Sequence, residues 1–97
     1  MHIVARKTLK DFWERHSDAE QPLRAWYSET EHASWCHPRD VKARYPAASI
    51  LTVNRVVFNI KGNKYRLVVH VRYDIGRVYI RFVGSHSEYD KVDATTI

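Results

Sequence analysis

Ser85-His86-Ser87-Glu88-Tyr89-Asp90 places a histidine and a tyrosine three residues apart, and Asn63-Lys64-Tyr65-Arg66 ends on an arginine. These residue types suit cleavage of a phosphodiester without a metal. That reaction needs a base to take the 2′-hydroxyl proton, a cation facing the extra negative charge of the phosphorane-like transition state, and an acid to protonate the leaving 5′-oxygen. His86 can serve as base or acid near neutral pH, Arg66 can grip phosphate oxygens with its planar fork, and Tyr89 can donate a proton or stack on a base. Asn59 and Arg81 are candidates beside them. Arg72, Arg81 and the turn residues Lys61 and Lys64 would hold flanking phosphates. A second reading uses the same residues without catalysis. The exposed face of an antiparallel sheet is polar in any case, and a basic one can simply hold RNA or an acidic partner.

What must position these groups is the stretch from Arg55 to Asp90. Three runs of alternating apolar and polar residues, parted by Lys61-Gly62-Asn63-Lys64 and Asp74-Ile75-Gly76-Arg77, predict an antiparallel meander with one buried face. With Gly62-Asn63 as a two-residue loop, Gly62 takes a positive φ, Lys61 faces Lys64 and Asn59 faces Arg66. With Asp74 to Arg77 as the second loop, Tyr73 faces Val78, Arg72 faces Tyr79, His70 faces Arg81 and Ser85 faces Arg66. Val56, Phe58, Ile60, Leu67, Val69, Val71, Tyr73, Val78, Ile80 and Phe82 then share the covered face. Asn59, Arg66, His70, Arg72, Tyr79 and Arg81 share the open one.

The cover comes from upstream. Leu9, Phe12, Trp13 and His16 fall on one stripe of a helix running from about Thr8 to His16. Leu23, Trp26, Tyr27 and Thr30 stripe a second, which starts between Asp18 and Pro22 and runs to about Ala33. His2 to Val4 reads as a short added strand, and His37 to Arg44 as a helical turn stopped by Pro46. Ala47 to Asn54 reads as a loop or 3₁₀ turn. The expected fold is therefore α+β, with two N-terminal helices and a short third helical turn packed on one face of a small antiparallel sheet.

A chain of 97 residues with 44% hydrophobic residues supports one domain, residues 1–97. The formal net charge of +5 points to a polyanionic or acidic partner. No apolar run reaches the roughly 18 residues of a membrane span, and the opening lacks the apolar core of a signal peptide, so a cytoplasmic location is expected with no membrane partner. The lone Cys36 agrees with a reducing compartment. His32, Cys36 and His37 do not complete a zinc ligand set, and neither a metal nor another cofactor is expected.

Four segments carry a family resemblance. They are M-H-I-V-A-R-K-T-L-K-D-F-W, Q-P-L-R-A-W-Y, V-V-F-N-I-K-G-N-K-Y-R-L-V-V and Y-I-R-F-V-G-S-H-S-E-Y-D-K. Over nearly its whole length the chain resembles the HigB-type toxins of the RelE superfamily. The resemblance implies a RelE-like fold and an mRNA endoribonuclease that cuts translated messages, often on the ribosome, held inactive by a HigA-type helix-turn-helix antitoxin. By motif position, Arg66 corresponds to a phosphate-binding arginine, and His86 and Tyr89 to the catalytic end of the last strand. Asn59, Arg81 and Asp90 also stand at motif positions. Ser85 replaces the more usual threonine. RelE-type relatives use lysines and arginines without a histidine, so the assignment of base and acid does not carry over.

Overall fold

The computed structural model describes residues 1–97. In chain order its elements are β1 (His2–Val4), α1 (Arg6–Arg15), a 3₁₀ turn (Ser17–Ala19), α2 (Glu20–Glu31), α3 (Pro38–Arg44), β2 (Ser49–Ile50), β3 (Arg55–Ile60), β4 (Tyr65–Arg72), β5 (Arg77–Ser85) and α4 (His86–Tyr89). The sheet order is β1-β5-β4-β3-β2, antiparallel except where β1 lies parallel to β5. No helix is long and apolar enough to cross a membrane.

The helical stripes pack as their spacing predicts. Leu9, Phe12 and Trp13 of α1 and Leu23, Trp26 and Thr30 of α2 are buried, and the apolar ones join Val56, Phe58, Ile60, Leu67, Val69, Val71, Val78 and Ile80 in one core. Phe58 is its hub, with the rings of Trp26, Trp35 and Tyr45 around it. Helix α1 starts at Arg6, earlier than its stripe suggests, because Ala5 takes a left-handed φ of 78° that swings the chain out of β1. Pro38 opens α3, and the Asp40 carboxylate accepts from the backbone N–H of Cys36 and His37, which satisfies two donors left free at the helix start. The segment expected as a loop contains the two-residue edge strand β2, paired with Val56 and Val57.

The first hairpin has the expected register. Asn59 pairs with Arg66, and the turn is closed by Lys64 N–H donating to the Lys61 carbonyl at 3.2 Å. Gly62 has φ 64°, and Lys61 also takes a positive φ, 52°.

The second hairpin differs. Arg72 pairs with Arg77 rather than Tyr79, His70 with Tyr79 rather than Arg81, and Tyr73 falls in the loop instead of facing Val78. The loop is therefore Tyr73 to Gly76, where the bidentate Arg72–Asp74 ion pair and a φ of 68° at Gly76 set the turn. A shift of two residues keeps parity, so Val78 and Ile80 still face the helices. Beyond them comes a bulge: Val69 pairs with Ile80 but Val68 with Phe82, leaving Arg81 as the extra residue. Parity then flips. Phe82 lies on the opposite face from the helices, Gly84 pairs with Arg66, and Ser85 pairs with Tyr65 rather than Arg66.

That face is not open along its whole length. Val57, Val68 and Ala94 are buried together there, with Leu51, Phe82, Tyr89 and Ile97 packed around them. Residues 90–97 thus run back over the sheet as a strap across an apolar band.

Candidate active site

Arg66 stands on β4 between Asn59 of β3 and Gly84 of β5. Its Nη1 donates to the Asn63 carbonyl at 3.0 Å and the Tyr65 carbonyl at 3.4 Å, which hooks the guanidinium against the turn. The carboxylate ion pairs of the molecule all go to other cations, so the charge of Arg66 is uncompensated. Gly84 is needed here. A Cβ at that position would come 2.6 Å from Cζ of Phe82 and 3.3 Å from Cβ of Glu88.

His86 leaves the end of β5 as the first residue of α4, and its N–H donates to the Lys64 carbonyl at 3.2 Å. The short helix is set by reciprocal capping. Ser85 Oγ accepts from Glu88 N–H at 3.2 Å, and Glu88 Oε1 accepts from Ser85 N–H at 2.8 Å. The Ser85 backbone N–H, and after it the Ser85 hydroxyl, hold the Glu88 carboxyl below its ordinary range. The His86 ring is about half exposed, with Nε2 at 3.5 Å from Asp90 Oδ1 one turn on. Tyr89 is half-buried, and its ring packs on the Val57–Val68–Ala94 band.

The turn lysines share one carboxylate. Asp18 of the 3₁₀ turn pairs with Lys64 and, at 3.8 Å, with Lys61, and it also accepts from the Tyr65 hydroxyl. Hydrogen bonds from Lys64 and then Tyr65 push the Asp18 carboxyl down to about 2. Asn59, Lys61, Lys64, Arg66 and His86 therefore gather at one end of the sheet. Arg72, six residues along β4 from Arg66, lies about 20 Å away at the usual strand rise and is neutralised by Asp74. Arg81 is turned to the strap, its Nε donating to the Ile97 carbonyl oxygen at 3.0 Å.

The gathered end is open surface. The smaller of two cavities, about 150 Å³, touches Asn59 and Lys61 but neither Arg66 nor His86, and the larger, about 340 Å³, lies at the far edge by Met1, Trp35 and Tyr73. His32 Nδ1 lies 2.8 Å from the Ser28 carbonyl oxygen, and Cys36 and His37 donate their backbone N–H groups to Asp40.

Asp18, Arg55, Gly84 and Glu88 escape a reading of the sequence. Ser85 and Glu88, three apart, form a capping pair and could have been found by that spacing. The partners of Asp18 and Arg55 are 46 and 42 residues away, and no local pattern encodes them.

Comparison with known proteins matches residues 19–92 to the HigB toxin family, described as the RelE-like toxic component of a toxin–antitoxin system. The chain belongs to the HigB toxin family. The HigB match takes in Asn59, Arg66, His86 and Tyr89 and stops short of Asp18 and Ile97. A protein named mRNA interferase toxin HigB from Escherichia coli K12 is 32% identical over 92 residues, 93% of this chain and 88% of the relative. A protein named mRNA interferase HigB from Shigella flexneri shares the same identity and coverage. A more distant mRNA interferase HigB, from Escherichia coli O6:H1, is 18% identical over 94 residues, 95% of this chain and 91% of the relative.

Proposed function

We propose that this HigB-family toxin is an endoribonuclease that cleaves mRNA without a metal, at the end of the sheet where Arg66 and His86 meet. The observation that carries the reading is that an uncompensated Arg66 and His86 stand at the same end of the sheet. Both are tied to the same turn, Arg66 to the Asn63 carbonyl and His86 to the Lys64 carbonyl.

A scissile phosphate at Arg66 meets a planar fork of donors already oriented by the turn, so charge developing on its oxygens is stabilised with little reorganisation. His86 transfers a proton, and Asp90 at 3.5 Å orients the imidazole. Asn59 can bond a base or sugar beside Arg66. Tyr89 follows three residues after His86 in α4, and its ring is steadied by the apolar band. Lys61, Lys64, Arg72 and Arg81 hold flanking phosphates; Asp18 and Asp74 moderate three of those charges.

An open surface suits a long polymer better than a small molecule. It also suits cleavage on the ribosome, where the message is presented as an extended strand. A HigA-type antitoxin with an acidic segment would neutralise the basic face, and the location is cytoplasmic.

The test is cleavage of a translated message and of free RNA in the presence of a chelator. Arg66→Ala should lower the rate about 10²-fold to 10³-fold, as loss of one transition-state donor does. His86→Ala should lower it about 10²-fold to 10⁴-fold with an altered pH profile and little change in RNA affinity. Parent-rate cleavage by His86→Ala across the pH range would overturn the assignment. RNA binding by the parent with no cleavage in either assay would leave a binding module in its place.

A further inference from the structure

At the other end of the face lies a second group of cations. Arg55 of β3 is 9% exposed, its Nε has no partner, and its Nη2 donates to the Ile97 carbonyl oxygen at 2.7 Å. Arg81 Nε donates to that same oxygen, so two guanidiniums converge on one acceptor. His70 is paired with Arg55 across β3–β4 and with Tyr79 across β4–β5, where the two rings are 6.1 Å apart. Arg72 follows two residues on from His70, bound to Asp74. The side-chain carboxylates of the strap are turned elsewhere. Asp93 accepts from Thr95, and Asp90 lies by His86.

No side-chain carboxylate pairs with either arginine, and burying a cation beside other cations is unfavourable. Burial, then Arg55, Arg81 and Arg72, push the His70 imidazole below its ordinary range. An anionic oxygen at the position of the Ile97 oxygen would face both guanidiniums at hydrogen-bond distance.

We propose that Arg55, Arg81 and His70 form a second phosphate-binding site, which takes a phosphodiester of the RNA strand away from the scissile one, and that residues 93–97 close it until RNA displaces them. This rests on the RNA-cleaving reading above. His70 is four residues from Arg66 on the same face of β4, about 13 Å at the usual strand rise, a distance that a strand of a few nucleotides spans. Between the two sites lie Val57, Val68 and Phe82, under Ala94 and Ile97. A phosphate oxygen taking the place of the Ile97 oxygen lifts the strap, and the uncovered Phe82 ring becomes a surface on which a base stacks.

The experiment titrates the full chain with a 2′-O-methyl oligoribonucleotide, which has no 2′-hydroxyl to attack. On saturation, the His70 titration followed by NMR should move to higher pH, because a bound anion offsets the field of the three arginines. The Ile97 amide, which donates to the Asp93 carbonyl at 3.2 Å, should exchange faster. Arg81→Gln should weaken binding and reduce the magnitude of the salt slope by about 0.7, the share of one phosphate contact on a single strand. Arg55→Met fills the same buried space without the charge and should do likewise; if it fails to fold, Arg81→Gln decides. Arg66→Ala should weaken binding yet leave the His70 response in place.

A His70 titration unmoved at saturation would overturn the proposal while leaving the Arg66 site intact. So would Arg81→Gln binding as the parent does while melting lower, since the arginines would then only fasten the strap. If the parent does not bind the oligonucleotide, the RNA reading itself fails, and the second site with it.

Discussion

Phe58→Ala is the sharpest test of how the helices hold the sheet. The side chain is 1% exposed, and its ring lies 5.4 Å from Trp26, 6.2 Å from Trp35 and 5.1 Å from Tyr45, centroid to centroid. Truncating a buried phenylalanine costs about 3–5 kcal/mol, from lost transfer energy and from the cavity left behind. The upper end applies, because the surrounding rings are large, held by α2, α3 and their connection, and poorly able to fill the space. Each aromatic pair also carries about 0.5–1.5 kcal/mol beyond its buried area, although the three are not additive. About 5 kcal/mol is comparable with the whole stability of a marginal domain, about 5–15 kcal/mol. At about 4–8 °C per kcal/mol for a domain of this size, melting should fall by roughly 20–40 °C. Phe58→Leu keeps most of the volume but loses the ring contacts, and should fall between the parent and Phe58→Ala. Urea unfolding followed by far-UV circular dichroism measures both. A loss under about 2 kcal/mol for Phe58→Ala, with an unchanged m-value, would refute the hub.

Two further outcomes follow from the site. Asp18→Asn should destabilise the protein at neutral pH; because the Asp18 carboxyl is pushed from 3.8 down to about 2 in the fold, its contribution is full above about pH 4 and is lost as pH falls toward 2. Melting curves of parent and variant should therefore converge in acid, and a constant gap down to pH 2 would refute the link. The same variant frees Lys61 and Lys64, so RNA affinity at low salt should rise. Gly84→Ala forces the Phe82 ring aside and should cost about 1–3 kcal/mol, read by thermal melting, together with a drop in cleavage as Arg66 loses its flat neighbour. Melting and cleavage equal to the parent's would mean that Phe82 swings away freely.

Where a feature depends on residues close in the chain, the sequence alone determined it. The α1 and α2 stripes, the faces of β3 and β4, and the pairing of Asn59 with Arg66 all follow from periodicity and one short turn in which Gly62 accepts a positive φ. Arg66 and His86 were legible as candidates because of residue type and because a meander brings the start of β4 and the end of β5 to one edge, although the expected facing of Ser85 and Arg66 was off by one residue. Tertiary structure decided the rest. Alternation cannot locate the bulge at Arg81, since Ile80, Phe82 and Val83 offer apolar side chains in either parity; the choice falls to Val57, Val68 and the strap, which need Phe82 beside them. The second loop closes a pair earlier than expected, because Asp74 holds Arg72 and β1 pairs in parallel with the start of β5. Nor does any local pattern show that Asp18 reaches Lys64 and Tyr65, or that Arg55 and Arg81 converge on Ile97. Those contacts join segments whose sequences do not constrain one another, so they exist only once the helices, the sheet and the strap have packed together.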